Sequence, residues 1–168
     1  MSDALQRLSN EQWGFETNCF VCEPTNESGL RIPFFHDVAN HEVVADFKFD
    51  GGFSGAPRYV HGGVITSVLD EAMAWATIAI SHRFAMTREL KAVYDRPVRI
   101  GFMYHVRARI DSADTDRILA QAEVTDHKDR CCARADAVFV VLGMAQVVDA
   151  TGQEPEQISP GFTKPSAS

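Results

Sequence analysis

The 168-residue sequence predicts a single α+β domain in which an antiparallel sheet wraps around one long buried helix. Four segments alternate apolar and polar residues, a pattern typical of antiparallel strands with one buried face. One further segment of helical length is apolar around most of its circumference, so it requires cover on several sides. The length suits one hydrophobic core without disulfide or metal cross-links.

The first predicted strand covers residues 43–49, where Val43, Ala45, Phe47 and Phe49 recur at every second position. A glycine-rich loop, residues 50–63, connects it to the predicted helix, residues 64–80. The polar residues of this helix fall within an arc of about 140° on a helical wheel, and the rest of the circumference is apolar. They are Thr66, Ser67, Asp70, Glu71 and Thr77.

Four more strands are predicted after the helix, over residues 88–95, 100–110, 118–124 and 133–142. The first of these has a mixed pattern, and the other three alternate clearly. Two turn-like linkers of hairpin length, 111–116 and 126–130, separate the later strands. The sequence therefore predicts one strand, the buried helix and then a four-stranded meander.

The two ends of the chain differ in pattern from this core. Residues 1–17 are interpreted as an N-terminal extension, with a short amphipathic helix over 2–13, and residues 18–145 as the domain itself. Residues 17–33 contain several turn-forming residues and are predicted to be a loop. Residues 146–168 have little periodicity and are interpreted as a mobile C-terminal tail.

Composition and charge exclude several classes of protein. The formal net charge is −7 without any basic run, which argues against nucleic acid as a partner. Asp70 and Glu71 interrupt the longest apolar stretch, so no membrane span is expected. The first residues show no basic segment followed by an apolar one, so we expect no signal peptide and a cytoplasmic location.

The four cysteines are expected to be reduced thiols in such a compartment. Cys19 and Cys22 form a C-x-x-C pair, whereas Cys131 and Cys132 are adjacent. A four-cysteine zinc site usually has two C-x-x-C pairs, and adjacent residues of a strand point to opposite faces. The sequence therefore predicts no metal site.

The segment from Val60 to Ala72 carries the residues best suited to chemistry. Gly62 and Gly63 stand at the start of the predicted helix, where the first N–H groups lack helical partners and can polarise a carbonyl group. Asp70 is the central charged residue of the helix's polar stripe. A buried carboxylate requires a partner or a function, while His61 could serve as a capping residue.

These residues resemble a known family. His61-Gly62-Gly63 followed by Asp70, then Met86-Thr87 and Asp95-Arg96-Pro97-Val98, are similar to the hotdog-fold acyl-CoA thioesterases of the 4-hydroxybenzoyl-CoA thioesterase superfamily. Cys19-Phe20-Val21-Cys22 with Asn26 and Gly29-Leu30 resembles its phenylacetate-pathway and Them4-like branch. The resemblance covers roughly residues 18–143. Two departures are Arg58 after Pro57 and Glu23 after the second cysteine, where family members often have glycine.

The resemblance implies a role for each matching residue. The N–H of Gly62 or Gly63 would polarise the thioester carbonyl, and Asp70 would be the nucleophile or the general base. His61 would orient the thioester or the loop, and Thr87 would position Asp70 or the water. Ser67 and Asn26 are implied to contact the substrate. No metal or organic cofactor is expected for this reaction.

Glu71 competes with Asp70 for the carboxylate role, since related hotdog enzymes can use a glutamate on this helix. Asp70 is favoured because it lies nearer the centre of the polar stripe and at the family's spacing from His61. Gly62 and Asp70 are eight residues apart, or about 12 Å along a helix, so one chain cannot easily present both to one carbonyl. This distance, and the resemblance, predict a homodimer with sites shared between chains, or a tetramer of two dimers.

Three functions are compatible with these residues. The leading one is an acyl-CoA thioesterase that hydrolyses an acyl-CoA thioester. A non-catalytic acyl-CoA binding or sensor protein of the same fold is the second, although sensors usually carry an added DNA-binding segment. An acyl-thioester dehydratase or hydratase is the third, and it would need a paired acid and base at one carbon. The acyl group itself is not predicted.

Overall fold

The computed structural model describes residues 5–164 of the chain. Seven strands form one antiparallel sheet in the order β1-β2-β3-β7-β8-β9-β6. Its strands are β1 (Leu5–Arg7), β2 (Phe35–Asp37), β3 (Glu42–Phe47), β6 (Ala85–Tyr94), β7 (Tyr104–Ala113), β8 (Arg117–Thr125) and β9 (Cys131–Val141). A separate hairpin, β4 (Ser54–Ala56) and β5 (Tyr59–Val60), precedes helix α1 (Gly62–Ala79). Helix α2 (Met144–Thr151) follows the sheet. The predicted α+β class, with a sheet around one buried helix, is confirmed.

Helix α1 lies on the sheet and contacts strands β3, β6, β7, β8 and β9. The sheet presents small side chains to it, because one row of paired residues runs across four strands as Ala108, Ala122, Ala135 and Ala92. Large residues of the helix fill the space above this row. Leu69 and Met73 are completely buried, and burial of each such side chain contributes about 1.5–3 kcal/mol.

The predicted four-stranded meander is wrong in one strand. Strands β7, β8 and β9 form a meander, but β6 pairs with β9 at the far edge and not with β7. The segment between β6 and β7, residues 95–103, is too long for a tight hairpin. Local periodicity cannot reveal this arrangement, because strand order depends on pairing between distant segments.

Strand β6 contains a β-bulge that places one residue of the site. Thr87 pairs with Phe139 and Glu89 pairs with Val138, so Arg88 is the extra residue. Thr87 and Leu90, which pairs with Ala137, therefore both face the helix side, although a regular strand would turn them to opposite faces.

The N-terminal extension contains a strand where the sequence predicts an amphipathic helix. Strand β1 pairs with β2, and a single 3-10 turn (Asn10–Trp13) follows it. The helix prediction over residues 2–13 is therefore wrong for residues 5–13, and residues 2–4 lie outside the described part. Pairing with the free edge of β2 satisfies backbone groups that an exposed short helix would leave to water.

The C-terminal segment forms a second small apolar cluster. Helix α2 and the residues after it bury Val147 and Ile158 against Phe84 and Leu142, and Trp13 and Phe162 pack at its side. The backbone of Lys164 pairs with that of Gly143 in an isolated β-bridge. The interpretation of residues 146–168 as a mobile tail did not include this packing, and residues 165–168 lie outside the described part.

Replacement of Ile158 by alanine should measure how firmly this segment is held. Ile158 is 4% exposed, so Ile158→Ala should lower the free energy of unfolding by roughly 2–5 kcal/mol. Equilibrium unfolding in urea gives this value. The exposed Glu156→Ala is the matched control and should change the value by less than about 0.5 kcal/mol. Equal stability of the two variants would show that the segment is detached in solution.

Candidate active site

Helix α1 begins at the site predicted from the sequence. His61 is its N-cap residue, and its Nδ1 atom accepts a hydrogen bond from the Gly63 N–H at 2.9 Å. A Cβ atom on Gly63 would come within 3.1 Å of that nitrogen, so glycine leaves room for the imidazole ring. His61 therefore holds the first helical turn, and its neutral form carries the ring proton on Nε2.

The Gly62 N–H stays available for a ligand. Within residues 5–164 no protein acceptor is found for it, while the Gly63 N–H is already used by His61. The positive end of the helix dipole reinforces this donor. Of the two glycines predicted to polarise a carbonyl group, the geometry therefore favours Gly62.

Tyr94 lies directly beside this donor and was missed by the sequence analysis. Its hydroxyl group donates to the Gly62 carbonyl at 3.0 Å and also contacts the Thr66 hydroxyl group. Tyr94 is the last residue of β6, and only the packing of that strand beside α1 brings it here. No motif in the sequence indicates this contact.

Asp70 lies two turns further along the helix and meets Thr87. The Thr87 hydroxyl group donates to Asp70 Oδ1 at 2.7 Å, and Asp70 is half-buried. Burial raises the pKa of Asp70 above its usual value, and the hydrogen bond from Thr87 offsets part of that rise. The β-bulge at Arg88 turns Thr87 to this side of the strand.

Glu71 points to a different neighbour. It lies beside Cys19 of the N-terminal loop, with Cys19 Sγ and Glu71 Oε1 joined by a hydrogen bond of 3.3 Å. Burial raises the pKa of Glu71 to about 8. The single polar stripe predicted for the helix is thus divided between strand β6 and the N-terminal loop.

Two further predicted residues lie in local hydrogen bonds. The Ser67 hydroxyl group donates to the carbonyl group of Gly63 at 2.9 Å, one turn earlier in the helix. The Asn26 side chain donates to the Asn18 carbonyl group at 3.0 Å and accepts from the Ser28 N–H at 3.0 Å. These bonds stabilise the helix and the loop, and a substrate contact by either residue stays a prediction.

The structure brings the predicted residues together in two groups. His61, Gly62 and Gly63 form one at the helix N-terminus, and Asp70 and Thr87 form the other. The two groups are eight residues apart on one helix, or about 12 Å. A cavity of about 270 Å³ opens at the glycine group and is lined by Tyr59, Val60, Gly62, Ile65, Tyr94, Asp95, Arg96, Pro97 and Val98.

The sheet, the enclosed helix and the glycines at its start define a hotdog fold. A thioesterase superfamily protein named RHA08564 superposes with a TM-score of 0.66 at 22% identity, covering 70% of this chain and 57% of that protein. The PaaI protein of E. coli, from the phenylacetic acid degradation operon, superposes with a TM-score of 0.57 at 16% identity, covering 61% of this chain and 74% of its own. These likenesses establish the fold.

Residues 58–133 match the family model of the thioesterase superfamily. The chain thus carries the sequence pattern of that superfamily over this region, and the resemblance indicated by the sequence is confirmed. The acyl-coenzyme A thioesterase THEM4 of Mus musculus is 24% identical over 115 residues, which are 68% of this chain and 49% of that protein. The chain spans about half the length of the curated relatives it matches.

No helix within residues 5–164 is both long and apolar enough to cross a membrane.

The capping role of His61 can be tested by substitution. His61→Ala should lower the free energy of unfolding by about 0.5–2 kcal/mol, because the Gly63 N–H loses its acceptor. His61→Asn supplies another capping side chain and should retain most of the stability. Urea unfolding of the three proteins measures the difference. A loss of the same size in both variants would contradict the capping role.

Proposed function

We propose that this chain hydrolyses an acyl-CoA thioester to the free acid and coenzyme A. The observation that carries the proposal is the half-buried Asp70, held by Thr87, on the helix whose first turn leaves the Gly62 N–H available. The superfamily match supports it, as do the curated relatives named acyl-coenzyme A thioesterases. A related structure from Streptococcus mutans was solved with acetyl CoA bound, at 17% identity and a TM-score of 0.58.

The proposed chemistry needs no metal or organic cofactor. The Gly62 N–H would donate to the thioester oxygen and stabilise the negative charge that develops there. The Asp70 carboxylate would either remove a proton from the attacking water or attack the carbonyl carbon itself. In the second route the mixed anhydride is then hydrolysed by water. In both routes the sulfur of coenzyme A leaves as a thiolate and takes up a proton.

Thr87 is proposed as a positioning residue for Asp70. Its hydroxyl group donates to Oδ1, so the Oδ2 atom of the same carboxylate stays available for the water or the carbonyl carbon. A donor at Oδ1 also favours the ionised carboxylate, which burial alone would disfavour. Both effects preserve the reactive form of Asp70.

Arginine residues beside the glycine group suit the phosphates of coenzyme A. Arg96 lines the cavity at Gly62 and also a neighbouring cavity of about 440 Å³. Arg99 and Arg130 line that second cavity, and Arg99 lies over the Tyr59 ring at 5.9 Å. Guanidinium groups bind phosphate through paired hydrogen bonds, so this side is where the proposed substrate would place its nucleotide end.

We further propose that each active site is shared by two copies of the chain. The distance of about 12 Å between Gly62 and Asp70 exceeds the 3–3.5 Å at which reacting groups must meet one carbonyl carbon. Strand β6 lies at the edge of the sheet beside Asp70 and exposes Met86 at 59% and Tyr94 at 52%. An unpaired edge with exposed apolar residues suits a two-fold contact, which would bring Gly62 of one chain to Asp70 of the other. The proposed assembly is a homodimer, or a tetramer of two dimers.

Asp70→Asn should remove turnover while preserving the fold. The amide accepts the Thr87 hydrogen bond but can neither attack the carbonyl carbon nor accept a proton from water, so kcat should fall by roughly 10² or more. The assay follows release of free thiol from a panel of short, long and aromatic acyl-CoA substrates.

Glu71→Gln is the matched control, because Glu71 is the neighbouring carboxyl group and lies toward Cys19. Its kcat should stay within about tenfold of the wild-type value. Loss of turnover in Glu71→Gln with retention in Asp70→Asn would reverse the assignment of the catalytic carboxylate.

Mixed refolding tests the shared site. Gly62→Val is chosen as the second inactive variant because its side chain would crowd the carbonyl group at the Gly62 N–H, while the atoms nearest to its Cβ belong to Tyr94, at 3.5–3.6 Å, and leave room for it. When equal amounts of Asp70→Asn and Gly62→Val are unfolded and refolded together, about half of the dimers are mixed, each with one intact site of two. Activity should therefore recover to about a quarter of the wild-type value.

Each variant refolded alone is the control and should stay inactive. The absence of any recovery in mixtures that form mixed dimers would establish that the site lies within one chain.

A further inference from the structure

The N-terminal loop brings three potential metal ligands together at Glu71, next to the side of α1 on which Asp70 meets Thr87. The Sγ atoms of Cys19 and Cys22 and a carboxylate oxygen of Glu71 all lie within 4.8 Å of one another. Cys22 is 9% exposed, and Cys19 and Glu71 are half-buried. The proposed thioesterase chemistry uses none of these three side chains.

The backbone around the C-x-x-C pair is shaped to support sulfur ligands. The Val21 N–H donates to Cys19 Sγ at 3.4 Å, and the Glu23 N–H donates to the Cys19 carbonyl group at 3.2 Å, which closes a tight turn. The Asn10 side chain donates to Cys22 Sγ at 3.7 Å. Donors directed at sulfur stabilise the thiolate form, and such outer hydrogen bonds orient the ligands of metal sites.

Glu71 supplies a third ligand in surroundings that lack a compensating positive charge. Within residues 5–164, none of the ion pairs involves Glu71. A carboxyl group on an enclosed helix with two thiols as its neighbours is costly to ionise, and a divalent cation would remove that cost.

We propose that Cys19, Cys22 and Glu71 bind a zinc ion that fastens the N-terminal loop to helix α1. Two sulfur ligands select a soft or borderline cation over Mg²⁺ or Ca²⁺. Zn²⁺ binds sulfur at about 2.3 Å and carboxylate oxygen at about 2.0–2.2 Å, so tetrahedral ligands lie about 3.5–3.8 Å apart. The three ligand atoms lie within 4.8 Å of one another, so zinc binding requires them to move closer together by no more than about 1 Å.

A water molecule would occupy the fourth coordination position of the proposed site. A cavity of about 200 Å³ is lined by Cys22, together with Asn10 and Trp75 among others. The indole N–H of Trp75 is buried and has no acceptor within the described residues. A water bound to the zinc ion in this cavity would complete the tetrahedron.

No metal site is expected from the sequence, because the spacing of the four cysteines alone does not suit one. Cys131 and Cys132 lie on strand β9 and are not part of this cluster. The third ligand is a carboxylate 52 residues away from Cys19, and only the folded chain shows it. The proposal goes beyond the hydrolysis of thioesters, and its test does not use activity.

Metal binding by the full chain in reducing buffer tests the proposal. Zn²⁺ should bind with a stoichiometry of one per chain in competition with a chromophoric chelator. Co²⁺ in its place should give the intense visible bands of a tetrahedral site and a sulfur-to-cobalt charge-transfer band. Cys19→Ser should remove most of the charge-transfer intensity. Glu71→Gln should preserve that band but lower the Zn²⁺ affinity by at least about 10–100-fold. Substitution of a residue that only hydrogen-bonds to a metal ligand already lowers metal affinity by that factor.

Cys131→Ser is the matched control, because it removes a half-buried thiol outside the cluster, and it should bind Zn²⁺ like the wild type. Circular dichroism establishes that each variant is folded. If Cys19→Ser does not fold, the Zn²⁺ affinity of Glu71→Gln alone tests whether the cluster binds the ion. Wild-type protein without stoichiometric Zn²⁺ binding would overturn the proposal. Unchanged affinity in Glu71→Gln would do so as well.

Discussion

The close approach of helix α1 to the sheet is the constraint on which the remaining structure depends. A row of alanine side chains across β6 to β9 leaves space for the helix, on which Leu69 and Met73 are completely buried. Because the helix is enclosed, each carboxyl group on it needs a partner on a neighbouring segment, whereas hydroxyl groups such as that of Ser67 bond to the helix backbone. Thr87 provides one for Asp70, and the N-terminal loop provides one for Glu71. The chemistry of the site thus follows from the packing of the core.

The elements of the fold could largely be predicted from the sequence, and their arrangement only in part. The alternation in β7, β8 and β9 and the apolar circumference of α1 are local patterns, so they predict the element types well. The position of β6 beside β9 depends on pairing between distant segments, and the pairing of β1 with β2 is equally non-local. Three residues of β1 contain no periodicity that could distinguish a strand from a helix.

The residues of the candidate site also divide into those that local spacing predicts and those that only tertiary packing brings together. Gly62, Asp70 and His61 lie on or next to one helix, where their spacing in the sequence is also their spacing in space. Thr87 was connected to Asp70 through the family resemblance, since no spacing rule joins a strand to a helix. The contacts of Tyr94 with Gly62 and of Cys19 with Glu71 depend on tertiary packing, and nothing in the sequence specifies them.

The bulge at Arg88 determines how the site responds to a change in chain length at that point. It shifts the alternation of side chains between the two faces by one residue, so that the first residues of β6, which include Thr87, are out of step with the rest of the strand. Deletion of Arg88 would leave Thr87 two residues before Leu90, so regular alternation would keep both side chains on the helix side and in their present pairing with β9. Over evolutionary time this position should therefore accept many different side chains and also the loss of one residue.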